Sequence, residues 1–489
     1  MWIIAGQGLS RSGAEPARAT MLLAGIVFAI ALFAFEAARY LGLGAYLDHI
    51  EGNIIISGWQ WAQGQPLYGL EDGAPRFATF YGPLAYLGHL PALLLIGPGI
   101  AASKAMSIAA ALVTIPLMGW HFLRRAPSLP GLDAVLMLSS GLLLFSPMSF
   151  WVRPDPVETV LVAAAIAARA KPGAIGVCAG LAINLKAHAF LYFLPIMVEL
   201  GLRLGWRGPA RAALCAAVTF AAPFCLPGIS ATDYLTALGR QVGLRGQSAA
   251  QLLPVLVGAA LLSLPLLLPL ARGAQASSAR LYGWTTLATL ALLLYPATFS
   301  GAGAYHFLPL LPVLVEARYR LQASGIAAQI APFLILAFAW LPAQHALSVM
   351  TERAGWAGLA EETLGLARQS PDRPAQVGYG DNRRSYEISQ LSKTRLSLAG
   401  FPALVDAQVL MELRQVGIDG SRRWVPYLEQ CRIRAWLLPT GEEPFAIRSY
   451  FYDDAPLFGE AFRRAFFAHY RRTRVGPHYE LWSCGSEPP

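Results

Sequence analysis

Long apolar runs fill most of the chain and are interrupted at short intervals by charge, proline and glycine. Their lengths fit bilayer crossings better than the apolar faces of soluble helices. The first run covers about residues 20–39, near the roughly 20 residues a helix needs to span a membrane. A second, about 100–122, ends in Arg124 and Arg125. Further spans are expected near 132–149, 157–170, 173–186, 188–203, 210–227, 250–270, 280–299, 304–317 and 325–342, about eleven in all by this hydropathy reading. Those between 157 and 203 are shorter than standard. Residues 84–96 are apolar, yet too short to span and bounded by Pro83 and Gly97-Pro98-Gly99. They are expected to form an interfacial or re-entrant helix.

Between the first two spans lies a polar island, residues 46–86, inside a first outer loop of about 41–100. Asp48 and Glu51 are three residues apart and share one helix face, with Ile54, Ile55 and Trp59 available to rest on a membrane surface. Pro66, Gly69, Gly73, Pro75 and Pro83 then prevent the helix from continuing and make the rest a shaped loop. That loop is the expected floor of an active site. From about Gln344 the composition turns charged and mixed, which divides the chain into a multi-span part, 1–343, and a C-terminal part, 344–489. Short β-like runs and a helical stretch from Phe458 to Arg471 predict α+β architecture there.

Composition supports the pattern. With 489 residues, 55% hydrophobic and only 14% charged, the chain falls outside the soluble globular range and reads as a polytopic α-helical membrane protein. The net charge of +9 does not indicate nucleic acid, because no basic stripe with interleaved aromatics accompanies it. The basic residues gather at the ends of apolar runs, including Arg169, Lys171, Arg203, Arg207, Arg211, Arg272, Arg280, Arg318 and Arg320. By the positive-inside rule the N-terminus is cytoplasmic, the C-terminal part extracytoplasmic, and the protein a multi-pass resident of the cytoplasmic membrane. Of the five cysteines, Cys431 and Cys484 lie in the polar C-terminal part. Outside the cytoplasm they are candidates for a disulfide, two separate thiols being the alternative. No CxxC or Cys/His metal spacing occurs.

Ionisable groups within or beside spans are costly, so each is a default functional candidate. Four clusters fall on the same expected side: Asp48, His49 and Glu51; Arg153 and Asp155 in WVRPDP; Asn184, Lys186 and His188 in NLKAH; and Tyr305 and His306 in SGAGAYHF. Each has a plain structural alternative. Asp48 can cap a helix, Arg153 can pair with Asp155, Lys186 can snorkel, and His188 can be a satisfied core histidine. Together they suit transfer of a group from an anionic lipid carrier. A carboxylate takes the proton of an acceptor hydroxyl, while cations hold the phosphate and the charge that grows on it. No residues form a clear metal cage, and no cofactor is expected.

The W-x-x-x-x-G-x-P-x-Y run at Trp59 to Tyr68 (WQWAQGQPLY) and the YGPL turn at Tyr81 to Leu84 resemble the GT-C superfamily of membrane glycosyltransferases. The likeness is to its protein O-mannosyltransferase and aminoarabinose-transferase-like branch, and it covers about residues 20–340. It implies an inverting enzyme that moves a sugar from a polyprenyl-phosphate donor to a glycan, lipid or protein acceptor, with an acid of the first outer loop as base. The adjacent Asp-Glu pair common in the family is absent here. Glu51, nearer the expected offset from Gly64, is the first choice of base and Asp48 the alternate. Substrate binding is expected of Arg153, Asp155, Lys186, His188, Tyr81, Tyr305, His306 and Arg76. The competing reading is a transporter or flippase of a lipid-linked or polar solute, although the paired interrupted helices usual in transporters are not visible. A membrane receptor or scaffold would leave these charges scattered. A single cavity gathering them favours the enzyme.

Overall fold

The computed structural model describes residues 14–68, 81–124, 128–244, 246–271, 276–321, 326–369, 375–401, 403–415, 419–449 and 454–485. Arg76 lies outside them. Backbone polar groups find no water in hydrocarbon, so the apolar runs resolve into helices. In chain order these are α1 (Ala14–Gly42), α2 (His49–Ala62), the short α3 (Pro83–Leu87) and α4 (Leu90–Ile96), α5 (Ile100–Leu123), α6 (Leu129–Leu144), α7 (Pro154–Ala167) and α8 (Pro172–Leu185). They continue as α9 (Leu194–Leu204), α10 (Arg207–Ala221), α11 (Ala231–Leu244), α12 (Ala249–Ala271), α13 (Ser277–Ala297), α14 (Leu311–Arg320) and α15 (Ile326–Arg353). Tight 3-10 turns at Ala187–Phe193 and Ala304–Leu310 lead into α9 and α14.

By length and composition six described helical stretches can cross a membrane: Glu15–Gly42, Ile100–Leu123, Ala187–Leu204, Arg207–Cys225, Ala249–Ala271 and Gln329–Gln369. The protein is an integral, multi-pass membrane protein. Helices α7 and α8 have 14 residues each, about 21 Å at 1.5 Å per residue. That is short of a hydrocarbon layer of about 30 Å. The chain at their ends is therefore irregular near membrane depth, which is tolerated where it is buried in protein or lines a cavity. Helix α15 runs unbroken past Gln344 to Arg353, so the composition changes before the helix ends.

Ion pairs tie one end of the bundle. Arg318 donates to Asp133 at 2.7 and 3.0 Å, and Glu316 accepts from Arg320 at 2.6 Å. At the opposite end Lys104, buried in the first turns of α5, donates to the carbonyls of Tyr40, Leu43 and Ala45 at 2.8, 2.6 and 2.7 Å. Carbonyls where a helix ends lack intrahelical partners, and here one ammonium serves Tyr40 in the last turn of α1 and Leu43 and Ala45 just beyond it, which fixes the exit of α1 toward α2. The YGPL turn lies against the end of α8. Gly82 donates to Leu185 O at 3.2 Å, Leu84 N donates to Asn184 Oδ1 at 2.9 Å, and a Cβ at Gly82 would come within 1.7 Å of Asn184 O. Only glycine permits that approach.

The C-terminal part holds α16 (Trp356–Gln369), β1 (Ala375–Val377), α17 (Arg383–Leu398), α18 (Ala407–Gln415), α19 (Val425–Glu429), β2 (Ala435–Pro439), α20 (Glu460–His469), β3 (Tyr470–Val475) and β4 (Tyr479–Cys484). The sheet order is β1-β2-β4-β3. β1 pairs parallel with β2, Ala375 opposite Ala435, while β4 runs antiparallel to both its neighbours. Trp436 packs edge-on against Phe445 and Phe462 beneath the sheet. The expected α+β architecture is present, and Cys431 is bonded to Cys484 with Cα atoms 5.8 Å apart. The helix expected over Phe458–Arg471 ends at His469 and passes directly into β3.

One expectation needs correction. Ile54, Ile55 and Ile56 of α2 are buried in protein and do not rest on a membrane surface. The C-terminal part covers the helix. Ile56 packs with Ala403, Val409 and Leu413, and a Cβ at Gly52 would lie 2.5 Å from Thr394 Oγ1 of α17.

Candidate active site

The sequence Asp48-His-Ile-Glu51 opens α2 with a capping box, in which Asp48 accepts from Ile50 N at 2.8 Å and Glu51 reaches back to Asp48 N at 2.8 Å. Glu51 is fully buried, and its oxygens also accept from Leu47 N at 2.7 Å, Val152 N at 2.7 Å and the Tyr40 hydroxyl. Four donors occupy the roughly four lone-pair sites of a carboxylate, leaving no position for a substrate proton. Of the two acids the sequence puts forward, Glu51 has its oxygens occupied, whereas Asp48 lines the larger of the site's two cavities. The free oxygen of the Asp48 cap pairs with the Arg153 guanidinium, and His49 Nδ1 stands 3.3 Å from the other. Burial alone pushes the Asp48 carboxyl up. Arg153, His49 and the Ile50 amide more than reverse this and hold it at about 2. Burial pushes the His49 imidazole down, with Asp48 opposing the shift.

Arg153 and Asp155 do not pair with each other. Arg153, 4% exposed, turns to Asp48 and lies over the Trp151 ring at 4.1 Å. Asp155, in the first turn of α7, accepts from Lys186 at 2.5 Å. Lys186 caps the end of α8 and is buried, so it does not snorkel. Its ammonium is 5.3 Å from the Tyr305 ring and 5.9 Å from the Tyr81 ring. His188 follows in the 3-10 turn, with its Nε2 3.1 Å from His306 Nδ1, and Tyr192 donates to His306 O at 2.9 Å. Asp48, Arg153, Asp155, Lys186, His188, Tyr81, Tyr305 and His306 thus come together from α2, α7, α8, the YGPL turn and the Ala304–Leu310 turn.

Two cavities meet among them. The larger, about 950 Å³, is lined by Asp48, His49, Trp151, Arg153 and Tyr305, together with Gln408 and Glu412 of α18. The smaller, about 420 Å³, is lined by Tyr81, Arg153, Lys186, His188, Tyr305 and His306. Its apolar side, Phe190, Leu292 and Tyr295, is half exposed on the lipid-facing surface. Arg153 and Tyr305 belong to both. Glu51 lines neither of them. Among the described residues no group of three His, Cys, Asp or Glu is placed to hold a metal ion.

Three buried polar residues escaped the sequence reading although each lies in an apolar run, where an ionisable group is itself a signal. Lys104 is the anchor described above. Glu36 accepts from the Ser146 hydroxyl. Glu158, one turn beyond Asp155 in α7, is fully buried, and neither of its carboxylate oxygens has a hydrogen bond among the described residues.

No protein-family model matches the sequence, and no curated protein matches it. Solved structures do. ArnT from Cupriavidus metallidurans bound to undecaprenyl phosphate superposes with a TM-score of 0.60 at 12% identity, over 95% of this chain and 98% of that one. The apo state of the same protein gives 0.56 at 13% identity, over 96% and 98%. The archaeal oligosaccharyltransferase AglB from Archaeoglobus fulgidus, in complex with an inhibitory peptide and a dolichol-phosphate, gives 0.47 at 10% identity, over 86% and 69%. Agreement with ArnT along almost the whole of both chains, the C-terminal part included, shows that this chain shares the fold of that protein.

Proposed function

We propose that the protein is an inverting membrane glycosyltransferase that moves a sugar from a polyprenyl-phosphate donor to an acceptor hydroxyl. The observation that carries this reading is the shared wall of the two cavities, with a carboxylate on one side of Arg153 and Lys186 on the other. The smaller cavity suits the donor, because its apolar flank accommodates a lipid tail and its inner end offers cations for a phosphate. Lys186 uses one N–H on Asp155 and retains two others for phosphate oxygens. The acceptor hydroxyl enters from the larger cavity. Its oxygen attacks the anomeric carbon opposite the phosphate, the sugar–phosphate bond breaks with its electrons going to phosphate, and the proton passes to Asp48. Lys186 and Arg153 stabilise the leaving phosphate. Arg153 couples the two sides: as it turns toward an arriving phosphate it loosens its hold on Asp48, whose carboxylate becomes a stronger base.

The fold shared with a protein solved with undecaprenyl phosphate supports a lipid-phosphate donor. The Cys431–Cys484 bond supports an oxidising compartment for the C-terminal part, hence an extracytoplasmic site. The direct test is undecaprenyl phosphate binding to the purified protein. Lys186→Ala is expected to weaken it at least tenfold, whereas Asp48→Asn retains binding and loses transfer. An unchanged affinity in Lys186→Ala removes this cavity as the donor site.

A further inference from the structure

The larger cavity has two chemically distinct ends. One is apolar, formed by Pro254, Val257 and Leu261 of α12 and Pro342, Ala346 and Val349 of α15. Val257 there is 51% exposed, so this end opens on the lipid-facing surface. The other end is polar and closed by α18. Gln408 is 6% exposed and donates from Nε2 to Glu412 Oε1 at 2.9 Å. A carboxylate only accepts, so this bond fixes the amide orientation and leaves the Gln408 carbonyl oxygen as an acceptor. That oxygen is buried and has no hydrogen-bond partner among the described residues, and the same holds for the donor Nε1 of Trp151, 5% exposed, which lines the same cavity.

A buried donor and a buried acceptor left unmade are costly, and an occupant that supplies both kinds of group removes the cost. Resting on the transferase reading, we propose that this cavity is the acceptor subsite and that Gln408 reads its occupant, a membrane amphiphile with an uncharged, hydroxyl-rich head. Hydroxyls of such a head donate to Gln408 Oε1 and accept from Trp151 Nε1. An anionic head made of acceptors alone would meet Arg153 and Arg353 in the same lining but would leave Gln408 Oε1, next to the Glu412 carboxylate, unsatisfied. The open apolar end between α12 and α15 suits an alkyl chain, which a polypeptide acceptor does not offer. Gln408 is a specificity-determining residue in this scheme and not a catalytic one.

The experiment uses the full chain in lipid nanodiscs and a long-chain alkyl glucoside carrying a diazirine in its tail, beside an alkyl phosphate of the same tail. The glucoside is expected to crosslink to α12 and α15. Gln408→Leu should reduce that labelling about tenfold, the factor corresponding to one lost buried hydrogen bond, with undecaprenyl phosphate binding unchanged. Val257→Trp, a change at the exposed mouth that spares the interior, should block the same labelling and decides the matter if Gln408→Leu fails to fold. Labelling indifferent to Val257→Trp, labelling at Phe190 and Leu292, or equal capture of the alkyl phosphate overturns the proposal. If the glucoside labels as stated while undecaprenyl phosphate does not bind beside Lys186, the amphiphile site stands and the transferase reading falls.

Discussion

Two carboxylates separated by one helical turn have opposite surroundings. Glu51 spends its oxygens on the backbone of its own loop and on Val152, while Asp48 faces a cavity and a guanidinium. Glu51→Gln is therefore expected to lower stability by about 1–3 kcal/mol, the usual cost of disturbing buried, charge-assisted bonds. The folded fraction should still turn over, which a melting curve beside an activity assay checks. Asp48→Asn should lower the rate by 10²–10⁴, the usual contribution of a general base. The Asp48 carboxyl is held at about 2 against an ordinary 3.8. A lowered pKa of this kind contributes stability that is complete above the ordinary value and lost as pH falls through the lowered one. Unfolding measured from pH 5 to 2 should show that loss at the acid end, and Asp48→Asn should shrink it. The sequence brought both acids forward but ranked them by offset from Gly64. The Asp-x-x-Glu spacing was itself a capping-box signature, and it is what separates their roles.

At the scale of elements, the many-helix membrane part was legible because apolar length and proline–glycine punctuation act locally, although about eleven spans were expected and six described stretches have the length and composition to cross a membrane. Residues 83–96 form two short helices, and the expected loop at 69–80 lies outside the described residues. The fate of α2 was not legible. An amphipathic face looks the same whether it meets lipid or protein, and only the fold brings Val409 and Leu413 onto Ile56. Lys104 was passed over for a related reason: one cation in an apolar run gives no hint of the three carbonyls it serves. Lys104→Met should leave the Leu43 and Ala45 carbonyls without their side-chain donor inside the protein and lower stability by at least about 3 kcal/mol. The readout is the thermal midpoint in detergent, and an unchanged midpoint would mean that α1 is held by packing alone.

For the whole molecule, the site arises where elements remote in sequence stop together. Residue clusters near 48, 153, 186 and 305 were visible one by one, but their partners were not: the exchange that gives Asp48 to Arg153 and Asp155 to Lys186 depends on tertiary placement. The disulfide ties β4 to the segment before β2 across 53 residues of sequence. Cys431→Ser should cost the C-terminal part about 2–4 kcal/mol and alter mobility on non-reducing gels. Because α2 is sandwiched between bundle and C-terminal part, the acid at its start is positioned from both sides. Gln60 donates to Ala403 O at 2.6 Å, and Arg353 to Tyr46 O at 2.9 Å. Cutting the chain after Arg353 would strip Ile56 of its cover and loosen the helix that carries the proposed base. A fragment trimmed after Arg353 is therefore expected to lose the proposed activity even where its membrane helices still fold.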